Sequence, residues 1–157
     1  MNPLPVRRLA EVSPEQQAQL AAVLLDCVEG GASVGFMWPL TPERALSFWG
    51  RVAEGVHRGH RALLVAEDEQ GIAGTVQVVL DQPDNQPHRA DVSKMLVHRR
   101  ARRRGTGEAL MLAAEQVARD SGKSLLVLDT VTDSDADRLY RRLGWQVSGD
   151  IPNFALF

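Results

Sequence analysis

The chain has 157 residues, of which 44% are hydrophobic and 24% charged, with a formal net charge of -2. That length suits one globular domain over residues 1–157, and the near-neutral balance argues against wholesale nucleic-acid binding. A lone cysteine, Cys27, excludes an internal disulfide; with no apolar run long enough to span a bilayer and no apolar leader at the start, a soluble cytoplasmic protein is expected, with no membrane partner.

Residues 6–11 read as a short first strand. Ser13 followed by Pro14 supplies an N-cap and a proline at the first helical position, and Leu20, Val23, Leu24 and Cys27 continue at helical spacing to Glu29. Gly30-Gly31 stops that helix. Residues 32–40 are apolar and aromatic without either period, which fits a loop against the core or over a pocket, with Phe36, Trp38 and the later Trp49 as wall residues. Thr41-Pro42-Glu43 opens a second helix whose buried stripe is Ala45, Phe48, Trp49, Val52 and Val56.

Residues 61–66 and 73–80 are aliphatic strands joined by a polar turn, a hairpin pattern. Two prolines make residues 81–88 a loop, and residues 90–98 form another strand. It runs into Arg99-Arg100-Ala101-Arg102-Arg103-Arg104-Gly105-Thr106-Gly107, five arginines and two glycines in nine positions. A helix follows over 108–120, then a continuous apolar strand of buried type over 124–129. Residues 133–143 form a short helix closed by Gly144, and Trp145-Gln146-Val147 starts a last extended segment.

A strand, a basic glycine-bearing loop and a helix N-terminus together make an anion site. The first amides of a helix lack intrahelical acceptors, the macrodipole adds positive potential, and arginine presents forked donors to phosphate oxygens. The expected guest is a phosphate-rich cofactor. A Walker A loop is excluded because Gly107 precedes Glu108, not Lys-Ser/Thr. A dinucleotide fingerprint would place its third glycine at Leu110, where close packing wants a small residue.

Val97-x-x-x-x-Arg102-x-x-Gly105-x-Gly107 resembles the acetyl-CoA signature of the GNAT N-acetyltransferases, and Ala136-Asp137-Arg138-Leu139-Tyr140-Arg141-Arg142-Leu143-Gly144-Trp145 resembles a second block of that family. The likeness covers nearly the whole chain. It implies an α/β (α+β) GNAT fold: a mixed, mostly antiparallel sheet of six to seven strands flanked by four helices. Residues 85–92, 126–130 and 139–145 look most like the tabtoxin-resistance group, which implies acetylation of a small toxin. Arg99 and Arg103 stand where many members have proline and glycine, and the chain stops at Phe157, earlier than members with a further C-terminal strand.

The resemblance implies acetyl-CoA as co-substrate, no metal, a small-molecule amine as partner, no nucleic acid, and a monomer or homodimer. Its cofactor residues fall on Met95, Leu96, Val97, Arg102, Arg103, Arg104, Gly105, Thr106 and Gly107, on Asp133 and Ser134 in the loop after the buried strand, and on Arg138 or Arg141 for the 3′-phosphate. Tyr140 matches the tyrosine that serves the departing sulfur. Asp91 stands where some members place a catalytic glutamate; an alkylamine with a pKa near ~10.4 needs a base at neutral pH. His88 and Asp129 are the other candidates for that role. An acyl-CoA-binding sensor without turnover, or a nucleic-acid or partner-binding module using the arginine run as a basic patch, are the competing readings.

Overall fold

The computed structural model describes residues 2–156. β1 (Val6–Leu9), α1 (Pro14–Glu29), α2 (Pro42–His57), β2 (Arg61–Asp68), β3 (Gly71–Val79) and β4 (Arg89–Val97) come first. A single 3-10 turn (Arg99–Ala101), α3 (Thr106–Asp120), β5 (Leu125–Val127) and α4 (Asp135–Arg142) complete the order. The first helix starts as its sequence requires: Ser13 Oγ accepts from Gln16 N at 3.1 Å, and Gln16 Oε1 accepts from Ser13 N at 2.8 Å. That reciprocal capping box satisfies two amides that would otherwise lack acceptors.

The sheet runs β1-β2-β3-β4-β5, antiparallel except for the parallel β4–β5 pair. Period-2 alternation sorts the strands between two cores. Leu63, Val65 and Leu96 pack with α1 and α2 on one face, whereas Leu64, Val76, Val78 and Val92 pack with α3 and α4 on the other. Trp49, read both in the buried stripe of α2 and as a pocket wall, is fully buried in the α1–α2 core and lines no wall, while Phe36 meets Phe48 edge-on at 5.2 Å. Gly74 lets α3 lie close on β3: a Cβ there would stand 3.2 Å from both Leu110 Cδ1 and Thr106 Cγ2.

The sheet has five strands, fewer than the six to seven expected. The expected strand over 124–129 is short and not buried, with Leu125 47% and Val127 41% exposed. A short apolar run reads the same for a central strand as for an edge strand. Here no strand pairs with the outer side of β5 among the described residues, and residues 145–156 carry no strand.

Two features of β4 shape the site. Its pairing with β3 slips between Thr75 and Gln77, and Lys94 at that slip has φ 55°, a left-handed conformation uncommon for a side-chain-bearing residue. Its pairing with β5 is confined to residues 89–91, Asp91↔Val127 being the last pair. Beyond Asp91 the two strands part, leaving the Val92–Val97 edge of β4 without a neighbour on that side.

Candidate active site

The loop that begins α3 follows the unpaired stretch of β4 by way of the 3-10 turn, and Met95 of that stretch reaches Gly107. Gly105 sits at the N-cap with φ 72°, Arg103 two residues earlier has φ 62°, and no side chain caps the helix. Among the described residues, the amides of Arg103, Arg104, Gly105, Thr106 and Gly107 donate to no acceptor. Successive free amides in a left-handed loop at a helix N-terminus form a concave anion cradle, so the backbone fits a pyrophosphate. Thr106 is buried and spends its hydroxyl on Ala101 O at 3.2 Å, tying the loop to the turn before it.

The arginine run divides by partner. Arg99 is paired through its Nε with Asp26, and Arg100 Nε lies 2.9 Å from Asp68 Oδ2. Arg102 turns back so that Nε donates to Val97 O at 3.1 Å, with Nη2 4.0 Å from the Cys27 sulfur. Arg104 Nη2 donates to Asn2 O at 3.2 Å. Only Arg103 has no polar partner among the described residues, and its side chain is exposed. Cys27 is buried, and that burial pushes its thiol pKa up, against the opposing pull of Arg102.

Met95 and Val97 pack toward α3 and α4, and Leu96 toward α1 and α2. Gly107 brings three elements together: a Cβ there would meet Leu139 Cδ2 at 3.2 Å and the Met95 sulfur at 3.6 Å. Tyr140, only 8% exposed, lines a cavity of about 110 Å³ with Leu128, Thr130, Asp137 and Trp145. Burial, and then the nearby Asp129 carboxylate, push its phenol up to about 12. Asp129 therefore acts across the opening on Tyr140 from α4 and also on Lys94 from β4.

Asp91 stands at the apex where the strands part. Its Oδ1 accepts from Arg89 Nη1 at 2.5 Å and its Oδ2 from Gln82 Nε2 at 3.1 Å, which leaves further acceptor sites on a carboxylate that offers about four. His88 is an exposed loop residue whose carbonyl accepts from Ser124 N at 2.8 Å.

The remaining sequence-derived residues belong to the start of α4. Ser134 caps it by accepting from Asp137 N at 3.1 Å, and Asp137 Oδ2 accepts from the amide of Asp133, whose φ is 62°. That amide bond and the Arg141 guanidinium hold the Asp137 carboxyl below its ordinary range. Arg138 is tied to Asp135 and to Asp133 O, and Arg141 Nε lies 3.1 Å from Asp137 Oδ1. The structure thus brings Met95, Leu96, Val97 and residues 102–107 together around the end of β4 and the start of α3, with Leu139 of α4 against Gly107, while Tyr140 lines a cavity formed with residues 128–132 and 145–150 and Arg138 and Arg141 are engaged at their own helix. Lys94 and Arg61, half-buried on β4 and β2 without a salt bridge among the described residues, were not marked from sequence. The signal available was a lysine inside a strand, which is uninformative without knowing where the strand slips.

The sequence profile of the acetyltransferase (GNAT) family matches residues 19–145. Human N-acetyltransferase 8 is 34% identical over 87 residues, covering 54% of this chain and 38% of the human protein. Among solved structures, a protein from Salmonella typhimurium described as an acetyltransferase, with its cofactor acetyl-CoA, superposes with a TM-score of 0.79 at 18% identity, covering 98% of this chain and 86% of that one. An acetyltransferase of the same family from Streptococcus pneumoniae gives 0.71 at 26% identity, over 93% and 86% of the two chains. No helix among the described residues is long and apolar enough to cross a membrane.

Proposed function

Because this chain belongs to the GNAT acetyltransferase family, we propose that residues 1–157 form one domain that transfers the acetyl group of acetyl-CoA to the amine of a small molecule in the cytoplasm. The observation that carries this reading is the set of free amides from Arg103 to Gly107, opening onto the unpaired edge of β4. Acetyl-CoA, when bound, supplies the activated acyl group and a thiol leaving group. Every other requirement falls to the chain.

The cradle amides and the Arg103 side chain hold the diphosphate, supported by helix polarity at α3. The free edge from Met95 to Val97 offers backbone donors to the pantetheine arm and to the carbonyl that must be polarised. Tyr140 keeps its proton at neutral pH, since burial favours the uncharged phenol, and donates a hydrogen bond to the departing sulfur. Asp91 accepts the proton of the incoming amine, directly or through water, and Asp129 orients that amine. Asp133 and Ser134 shape the turn that places Tyr140; Arg102, Arg104, Arg138 and Arg141 reach the phosphates by exchanging their present backbone or carboxylate partners for the ligand's.

The partnering of Arg99, Arg100, Arg102 and Arg104 within the chain weighs against a basic patch for nucleic acid. Residues 85–92, 126–130 and 139–145 support the finer reading, a member of the tabtoxin-resistance group that detoxifies a small amine. Calorimetry with acetyl-CoA, free CoA and a short duplex at physiological salt, followed by an assay for amine-dependent release of CoA thiol, tests the proposal. Binding of the duplex alone would end it.

A further inference from the structure

The sheet face beneath α2 carries a polar row where its neighbours are aliphatic. Gln77 on β3 stands in register between Leu63 on β2 and Ser93 on β4, and Arg61, two residues before Leu63 and so on the same face, reaches it diagonally, its Nη1 donating to Gln77 Oε1 at 2.6 Å. Lys94 follows at the strand slip. Its Nζ lies 5.8 Å from the centre of the Phe48 ring and 3.4 Å from where a Cβ on Gly35 would be, so the 32–40 loop and α2 close around it. Neither Arg61 nor Lys94 makes a salt bridge among the described residues.

The row is built but incompletely satisfied. Gln77 is fully buried and its Nε2 has no acceptor, and Arg61 Nε is likewise buried without one. Such orphaned donors are costly, more so when charged. Burial lowers the Lys94 ammonium from its ordinary pKa, and the nearby Arg61 lowers it further, with Asp129 opposing. Gly55 inside α2 keeps this arrangement possible: a Cβ there would stand 2.8 Å from Arg61 Nε. An anion seated between the half-buried Arg61 guanidinium and Lys94 ammonium would supply a counter-charge to both cations.

Resting on the acetyl-transfer reading above, we propose that the acceptor amine carries its own anionic group, docked on Arg61 and Lys94, with Gln77 holding the Arg61 guanidinium. Lys94 precedes Leu96 by two residues, on the same stretch of β4 whose free edge receives the acyl group in that reading, so the anion belongs to the acceptor itself and lies near its amine, as in a free amino acid. Asp129, on the far side of the opening from Lys94, completes a charge pattern complementary to such a zwitterion.

The test is calorimetric titration of the full chain, in the presence of CoA, with free α-amino acids, the corresponding α-amino acid amides, and phosphoethanolamine, alongside turnover of each with acetyl-CoA. The acids are expected to bind and react about 10- to 100-fold better than the amides, the loss typical of a charged hydrogen bond; better binding by phosphoethanolamine would identify a phosphate as the anion. Arg61→Gln and Lys94→Gln should abolish that preference while leaving acetyl-CoA affinity unchanged, and Arg61→Lys, which keeps the charge, should restore part of it, with thermal melts confirming folding. Equal binding of acids and amides, or a preference that survives both glutamine variants, overturns the inference. Should no amine be acetylated, transfer fails as a reading, and the calorimetry still decides this one: anion binding lost in the variants supports it, and no anion binding refutes it.

Discussion

Replacing Tyr140 by phenylalanine separates two jobs that a tyrosine at a departing sulfur could perform. The phenol is pushed up to about 12, whereas an ordinary thiol titrates near 8.5. Complete proton transfer from one to the other is uphill by roughly 3.5 units, about 5 kcal/mol. In the proposed reaction the phenol therefore stabilises developing charge on sulfur as a hydrogen-bond donor, worth about 1.5–3 kcal/mol. Tyr140→Phe should then lower kcat about 10- to 100-fold while acetyl-CoA affinity stays within about 3-fold, because the cradle lies on another element. Folding should be insensitive at neutral pH, since the hydroxyl has no hydrogen-bond partner among the described residues.

The same burial gives an alkaline signature. A phenol raised in the folded state keeps its proton where the unfolded chain has lost it, so its contribution to stability is intact below about pH 10 and falls as pH climbs toward about 12. The loss from this group is about 2–3 kcal/mol, and Tyr140→Phe should remove it from the difference between the two pH–stability curves. Steady-state release of CoA thiol and denaturant melts across that range are the assays. Unchanged kcat in the phenylalanine variant, or curves for the two proteins that run parallel through pH 10–12, would refute the reasoning.

The arginine run should respond unevenly: Arg103→Ala weakens acetyl-CoA binding by up to about 1 kcal/mol, about 5-fold, and less as salt rises. Arg99→Ala, which breaks a pair with Asp26 instead, leaves that affinity alone; calorimetry at two ionic strengths compares them. Gly74→Ala forces a Cβ to within 3.3 Å of the Leu96 carbonyl as well as two α3 side chains, and urea melts should show about 1–3 kcal/mol of destabilisation. Asp137, whose carboxyl is held low by the Asp133 amide and Arg141, contributes stability above the ordinary carboxylate range that is lost as pH falls through its depressed value. Melts from about pH 7 to about pH 3 should show a shallower acid loss in Asp137→Asn.

Local chemistry made the helices legible. Ser13-Pro14 and Gly30 bound α1, and Thr41-Pro42 starts α2, because caps and breakers act within a few residues of themselves. The glycine-bearing loop before a helix likewise disclosed a run of free amides, since amides without acceptors at a helix start are a property of the backbone. What each arginine does was not legible. Arg99 meets Asp26 from 73 positions away and Arg100 meets Asp68 from 32, pairings that exist only once α1 and the β2–β3 turn are folded against the loop.

The sequence by itself determined the order and kind of nearly every element and the buried stripes of its helices, consequences of short-range periodicity, and it carried the two motifs that resemble those of the GNAT acetyltransferases. Tertiary structure decided the rest: that β5 is an exposed edge, that β4 and β5 part after Asp91, and that Arg61, Gln77 and Lys94 stand together under α2. Those facts depend on strand register, where a slip of one residue turns a side chain to the opposite face, and register is set by the assembled sheet and not by any single strand.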